Sequence, residues 1–169
     1  MSPVPKFKFN KVILLVRDPY GTLEAEFNRR VSGGNHTGYA SLNSFVRPEV
    51  KHWKSFVYNK IFKWQKTNTN WFNGFPDPST RHVVFYDELV SDTENVLKKV
   101  LEFLNVDVSE KSMKCAMDHK EGIHHRSKKR VGINLFDSSM RKTINHIKGR
   151  VYKLVKSGNK GAVHPSIHV

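Results

Sequence analysis

An arginine stands where an apolar segment gives way to a helix start. Arg17 follows the run "VILLV" at 12–16, which is typical of a strand buried on both faces of a parallel sheet. Asp18 suits a helix N-cap and Pro19 the first helical position. Helix N-termini attract anions, and a guanidinium adds a planar fork that fits two phosphate oxygens. This junction therefore predicts a phosphate site.

A structural role for Arg17 is the alternative. The guanidinium would then pair with a carboxylate such as Glu26 or Glu88 and only hold the fold together. The residues alone do not choose between the two interpretations.

A second candidate is the basic stretch "HKEGIHHRSKKR" at 119–130. Lys120 and Arg126 flank Gly122, which would let backbone N–H groups approach an anion. The same stretch also holds His124, His125, Lys128, Lys129 and Arg130. Because two predicted helices hold it at both ends, we interpret it as a clamp over a ligand; a solvated charge run is the alternative.

Composition narrows the class of protein. The 169 residues suggest one domain, and a net charge of +14 indicates an anionic partner. Cys115 is the single cysteine, so an intramolecular disulfide and a cysteine metal cluster are excluded; we expect a buried structural thiol. The first ten residues lack the apolar core of a signal peptide, and no apolar run is long enough to span a bilayer.

Strand and helix signals alternate along the chain. Residues 82–86, "HVVFY", predict a second buried strand. Helical spacing predicts a first helix that ends at the glycine pair 33–34, a helix from Trp53 to about Trp71, one after Asp92, one capped by Ser109 and a last one capped by Asp137. In the helix after Asp92 we expect these side chains to face inward: Val96, Val100, Leu101, Phe103 and Leu104. The pattern predicts an α/β fold with a small parallel sheet flanked by helices. We expect one domain over 1–156 and a frayed tail over 157–169.

Three segments resemble sulfotransferases that use 3′-phosphoadenosine 5′-phosphosulfate. "ILLVRDPYGTLEAEFNRR" is similar to their strand, Arg-x-Pro and helix; "HVVFYDELVSDTENVLKKVLEFLNVDVSE" is similar to a later strand and helix; and "HKEGIHHRSKKR" resembles the loop that covers the nucleotide. The sulfotransferase domain of WSC-domain-containing proteins has these features in the same order. The resemblance covers residues 11 to about 156 and implies a P-loop-NTPase-like fold.

The resemblance also implies cofactor-binding residues. Arg17 would bind the 3′-phosphate, and Lys120, Gly122 and Arg126 would close over the nucleotide. Ala25 stands where many relatives carry a phosphate-binding serine, and Thr22, one turn earlier, would substitute for it. No metal is implied.

The family's first phosphate loop, glycine-rich with a lysine, is expected upstream of this Arg-x-Pro strand. "MSPVPKFKFNK" contains no glycine, so we expect the 5′-phosphosulfate loop and the first strand to be missing. We therefore expect this chain to be inactive or a poor catalyst. The catalytic base remains unassigned; the histidines His36, His119, His124 and His125 are more typical of a surface or a nucleotide loop.

The complete protein would transfer the sulfuryl group to a hydroxyl, with a carbohydrate or glycoprotein as the expected acceptor. The resemblance places it in the Golgi, and the sequon at Asn35 agrees with that location. One alternative is a basic module that binds the phosphates of nucleic acid through "HHRSKKR", with Trp53, Trp64 and Trp71 as stacking platforms. Another is a non-catalytic binder of acidic glycans.

Overall fold

A computed structural model describes residues 9–35, 38–46, 52–121 and 134–158. Two strands and seven α-helices lie in these residues. In chain order they are β1 (Val12–Val16), α1 (Pro19–Val31), α2 (Leu42–Val46), α3 (His52–Gly74), β2 (Arg81–Phe85), α4 (Tyr86–Ser91), α5 (Thr93–Leu104), α6 (Glu110–Asp118) and α7 (Ser138–Ser157). The predicted small parallel sheet flanked by helices is confirmed.

The two strands pair in parallel, with Val12 opposite Arg81 and Val16 opposite Phe85. Because the two strands are parallel, their C-terminal ends lie at the same edge of the sheet. The residues that follow β1 and β2 therefore meet there. The second strand begins and ends one residue earlier than predicted. Tyr86 is the first residue of α4 instead of the last residue of a strand.

Only one face of β1 is covered, which corrects the prediction of a strand buried on both faces. Leu14 and Val16 are buried against α3 and α7, whereas Ile13 and Leu15 are 40% and 50% exposed. The physical reason is local. On the opposite face α5 packs against β2, where Phe103 stacks on His82, and the described residues place no helix over Ile13 and Leu15.

The core consists of two hydrophobic clusters, and both contain side chains of α3 and α7. One cluster joins α1, α3 and α7, and it contains Leu23, Phe27, Trp53, Ile61 and Ile144. The other joins the sheet to the ends of α3 and α7, and it contains Leu14, Val83, Phe72, Val151 and Val155. The long helices α3 and α7 therefore form the layer on which the sheet rests.

Local signals explain most helix ends. Asp18 and Asp137 cap α1 and α7, accepting hydrogen bonds from Tyr20 N at 2.9 Å and Met140 N at 2.8 Å. After α1, Gly33 and Gly34 have φ of +70° and +91°, a conformation that a side chain would strain. The caps predicted at Asp18, Ser109 and Asp137 and the glycine stop are confirmed, whereas Asp92 precedes α5 without a cap hydrogen bond from its side chain.

Two predictions about α5 and α6 are wrong. No side chain of α5 is buried, and Leu104, expected inside, is 39% exposed. Cys115 is exposed on α6 and is not a buried thiol. Both have one cause: α5 contacts α4, β2 and α6 on only part of its surface, and in the described residues α6 packs against α5 alone.

Candidate functional site

The candidate site lies at the edge of the sheet where both strands end. Arg17 follows β1, and the Tyr86 ring follows β2 directly, so the parallel pairing brings the two together. The guanidinium carbon of Arg17 lies 4.5 Å from the centre of the Tyr86 ring. Such stacking holds the planar fork in one orientation at little cost in hydration, since a guanidinium is weakly hydrated.

The backbone of α1 forms the other side of the Arg17 site. A Cβ atom at Gly21 would lie 3.7 Å from both Nε and Nη2 of Arg17. The guanidinium thus extends over the first turn of α1, the part of a helix that favours anions. The main chain of Arg17 is fixed as well, because Trp64 Nε1 donates to its carbonyl oxygen at 3.2 Å.

Within the described residues Arg17 forms no ion pair. Glu26, one of the two partners considered from sequence, instead binds Arg29 and Lys60 at 2.9 Å and 3.0 Å. Their hydrogen bonds, Arg29 foremost, hold the pKa of Glu26 below its usual range. The other partner considered, Glu88, lies on exposed α4 and pairs with no described residue. The geometry therefore leaves the Arg17 charge available to an external anion.

A lysine from α7 neutralises the carboxylate next to Arg17. Lys148 Nζ forms an ion pair with Asp18 Oδ2, and this contact is the main cause that raises the pKa of Lys148. The ammonium also lies 5.4 Å from the centre of the Tyr152 ring. As a result, Asp18 caps the helix without presenting a free negative charge beside the candidate phosphate site.

The Thr22 side chain is already engaged. Its hydroxyl donates to the Asp18 carbonyl oxygen at 2.8 Å. In this conformation the hydroxyl proton is not directed at an external phosphate, so a role for Thr22 in binding requires its side chain to rotate. That role stays a prediction.

Of the other predicted ligands the structure describes only Lys120. Lys120 is exposed just after α6, and the described contacts do not link it to Arg17. Gly122 and Arg126, with the histidines His36, His124 and His125, lie outside the described residues. His119 is described, and its Nδ1 lies 2.8 Å from the Cys115 carbonyl oxygen. No described contact links His119 to the Arg17 site.

Sequence reasoning missed three contributors to the Arg17 site: Tyr86, Gly21 and Lys148. Tyr86 sits in "YDEL", a segment that the resemblance had singled out without giving the ring a role. Gly21 follows the helix start by only two residues, and an isolated glycine there is a usable signal of close approach. Lys148 lies 130 residues from its partner Asp18, so no local sequence pattern predicts this ion pair.

The tryptophans serve the core. Trp53 is 3% exposed and donates from Nε1 to the Leu135 carbonyl oxygen at 2.6 Å. Trp64 is half-buried and is bound to Arg17, and Trp71 stacks on Phe75. Bases could not stack on Trp53, which removes one of the three stacking platforms of the nucleic-acid alternative.

Among residues 9–35, 38–46, 52–121 and 134–158 no group of histidine, cysteine or carboxylate side chains is placed to hold a metal ion. Nor does any helix there combine the length and the apolar composition that crossing a bilayer requires.

The class of protein follows from comparison with known proteins. Residues 7–110 match the family model described as "Sulfotransferase family", and the chain belongs to that family. The mouse sulfotransferase SULT7A1, solved in complex with PAP, has a similar fold, with a TM-score of 0.57 at 17% identity over 92% of this chain and 62% of that one. The family and the fold predicted from sequence are confirmed.

More similar relatives belong to the WSCD family. The chain is 40% identical to WSCD family member CG9164 of Drosophila melanogaster over 147 residues, which are 87% of this chain and 45% of that protein. It is 38% identical to WSCD family member AAEL009094 of Aedes aegypti over 85% of this chain and 44% of that one. The chain thus spans less than half the length of these relatives.

Proposed function

We propose that this chain carries the 3′-phosphate-binding part of a sulfotransferase that uses 3′-phosphoadenosine 5′-phosphosulfate. One observation carries the proposal: the Arg17 guanidinium, stacked on Tyr86 at the strand ends, lies over the first turn of α1 without a carboxylate partner in the described residues. Family membership and the fold shared with a sulfotransferase that binds PAP support it.

The chemistry of the complete protein is sulfuryl transfer to a hydroxyl. Negative charge develops on the leaving phosphate of the donor, and a cation must meet it there, while a base takes the proton of the acceptor. Arg17 would act before this step, by holding the donor through its 3′ end. Neither strand-to-helix junction in the described residues is glycine-rich, so the group that meets the leaving phosphate remains unassigned.

The acceptor and the location are inferred from resemblance. We propose a carbohydrate or glycoprotein acceptor and a complete protein that works in the Golgi. Asn35 of the sequon is exposed in the turn after α1, as a glycosylated asparagine must be.

A pair of nucleotides tests the proposal. Adenosine 3′,5′-bisphosphate and adenosine 5′-monophosphate differ only in the 3′-phosphate, so their ratio of dissociation constants isolates that group. We expect calorimetric titration of the 169-residue chain to show tighter binding of the bisphosphate. Arg17→Ala should reduce this preference roughly 10- to 100-fold, because a charge-assisted hydrogen bond contributes about 1.5–3 kcal/mol. Arg17→Lys, which keeps the charge and loses the fork, should give an intermediate value.

Arg30→Ala is the matched control, since Arg30 is an exposed arginine of α1, the helix that begins just after Arg17. Circular dichroism and thermal melting establish that each variant is folded. Equal affinity for the two nucleotides, or equal losses in the Arg17 and Arg30 variants, would contradict the proposal. Binding of single-stranded DNA that is stronger than nucleotide binding and independent of Arg17 would favour the nucleic-acid alternative.

A further inference from the structure

The charge of the chain is distributed unevenly. Residues 87–121 contain nine of the 15 acidic residues and five of the 29 basic ones, which gives this segment −4 within a chain of +14. The segment comprises nearly all of α4 together with α5 and α6. One helical unit of a strongly basic protein is therefore acidic.

A groove runs between α5 and α6 in this acidic unit, with a volume of about 860 Å³. Its apolar lining is Leu101, Val106, Val108, Met113 and Met117. Polar side chains form the rest of the lining: Glu94, Lys98, Glu102, Asn105, Asp107, Glu110 and Lys114. The groove thus has an apolar floor and charged edges.

The apolar floor lacks a cover in the described residues. Val106 and Val108 are 46% and 44% exposed, and neither α5 nor α6 has a buried side chain. Both helices are nevertheless amphipathic in sequence. Part of the apolar side of α5 packs against β2, and no described residue covers the part that forms the floor of the groove. Contiguous exposed apolar surface of this kind usually marks an interaction site.

The edges indicate the charge of the partner. Glu94 is paired with Lys98 at 2.7 Å, whereas Glu102, Asp107 and Glu110 form no ion pair with any residue that the structure describes. The groove lining thus has three carboxylates without a paired cation among the described residues, and Lys114 is the one lining cation that remains. This excess of negative charge favours a cationic partner. A groove between two helices suits an amphipathic helix, and α5, at 12 residues, is about 18 Å long, enough to receive three turns of it. Methionines on the floor adapt readily to such a face.

We propose that the groove between α5 and α6 binds a cationic amphipathic helix of a partner protein. Apolar side chains of that helix contact Met113 and Met117, and its lysines or arginines pair with Glu102, Asp107 and Glu110. The surface is separate from the Arg17 site and is independent of the proposed transferase function.

A synthetic helix of about 15 residues tests the proposal, with leucines at positions i, i+3, i+4 and i+7 and lysines on either side of them. The comparison peptide replaces every lysine by glutamate. Fluorescence anisotropy with the 169-residue chain should show the lysine peptide binding at least tenfold more tightly. The net charge of +14 alone predicts the reverse order, so the two explanations separate cleanly.

Two sets of variants locate the binding. Glu102→Lys combined with Asp107→Lys should weaken lysine-peptide binding about tenfold or more, whereas Asp118→Lys, an exposed position of α6 outside the groove, should have less than a twofold effect. Met113→Ser with Met117→Ser, which leaves every charge in place, should also weaken it about tenfold. A fluorophore on exposed Cys115, also outside the lining, should change its emission as the lysine peptide binds.

Several results would overturn the proposal. Tighter binding of the glutamate peptide would do so, and so would equal effects of the groove variants and Asp118→Lys. Binding unaffected by the methionine changes would show attraction by charge without docking. Self-association of the chain that the methionine variants abolish would make a second copy the occupant instead.

Discussion

Arg81 offers the sharpest test of how the two long helices are held together. The side chain is only 5% exposed and has no carboxylate partner in the described residues. Its Nη1 donates to the carbonyl oxygens of Phe72, at 2.9 Å, and Phe75, and Nη2 donates to that of Gly158 at 3.3 Å. These oxygens lie at the C-terminal ends of α3 and α7, where helix dipoles favour a cation.

Arg81→Met keeps most of the side-chain volume and removes the donors. Gly158 is half-buried, so we expect water to replace the lost donor at its oxygen, and the Phe72 oxygen keeps the Phe75 N–H at 3.4 Å. The Phe75 oxygen bears the main loss, and a buried acceptor without its donor costs about 1–3 kcal/mol. Loss of the guanidinium packed 3.6 Å from the Phe72 ring centre adds about 1–2 kcal/mol.

Removing a buried charge returns part of its desolvation cost, so we expect a net loss of about 3 kcal/mol. For a chain of this size that is a drop of about 6–12 °C in melting temperature. Thermal unfolding followed by circular dichroism measures it, with exposed Arg150→Met on α7 as a control that should not change. A melting temperature of Arg81→Met at or above that of the unchanged chain would refute the reasoning, because desolvation would then outweigh the hydrogen bonds.

Two further predictions concern the ion pair at the site and a histidine of the sheet. Lys148→Met should weaken binding of adenosine 3′,5′-bisphosphate roughly five- to tenfold. The variant leaves the Asp18 carboxylate without its cation, and that carboxylate then repels the phosphate bound at Arg17 by about 1 kcal/mol. Adding Asp18→Asn to that variant should restore the affinity, since asparagine still caps the helix and carries no charge. Calorimetric titration of the two single variants and the double variant measures this, and a double variant without restored affinity would show that Lys148 has only a structural role. Burial, and then Lys99, lowers the pKa of His82, so the folded state binds fewer protons than the unfolded state near that pKa. Stability should therefore fall as the pH drops below about 6.5, and His82→Gln should flatten urea-unfolding free energies between about pH 5 and 7; an unchanged slope would assign the dependence to other groups.

Local patterns predicted the elements well because their causes are local. Caps such as Asp137, the glycine pair 33–34 and the helical spacing of Ile144 and its neighbours are encoded within a few residues. Arg17 was identified in the same way, from the strand end and helix start that flank it. The structure adds that no described carboxylate neutralises it, while its assignment as a phosphate ligand stays a prediction.

The failures arose where the outcome depends on distant partners. Amphipathic α5 and the apolar run of β1 both predict burial, but whether Leu104 or Leu15 is buried depends on what else packs there. The same holds for Lys148, whose partner Asp18 is 130 residues away. Periodicity tells which side chains share a face and gives no information on whether that face finds a cover.

The parallel pairing of β1 with β2 has a consequence for how the chain acquires its shape during synthesis. The partner of Val12 is Arg81, so the sheet cannot form until α1 to α3 and the first residues of β2 have left the ribosome. Contacts so far apart in sequence close slowly, whereas the helices can form at once. The Arg17 fork meets Tyr86 only after that closure, so the nascent chain is unable to bind an anion there until synthesis has passed Tyr86.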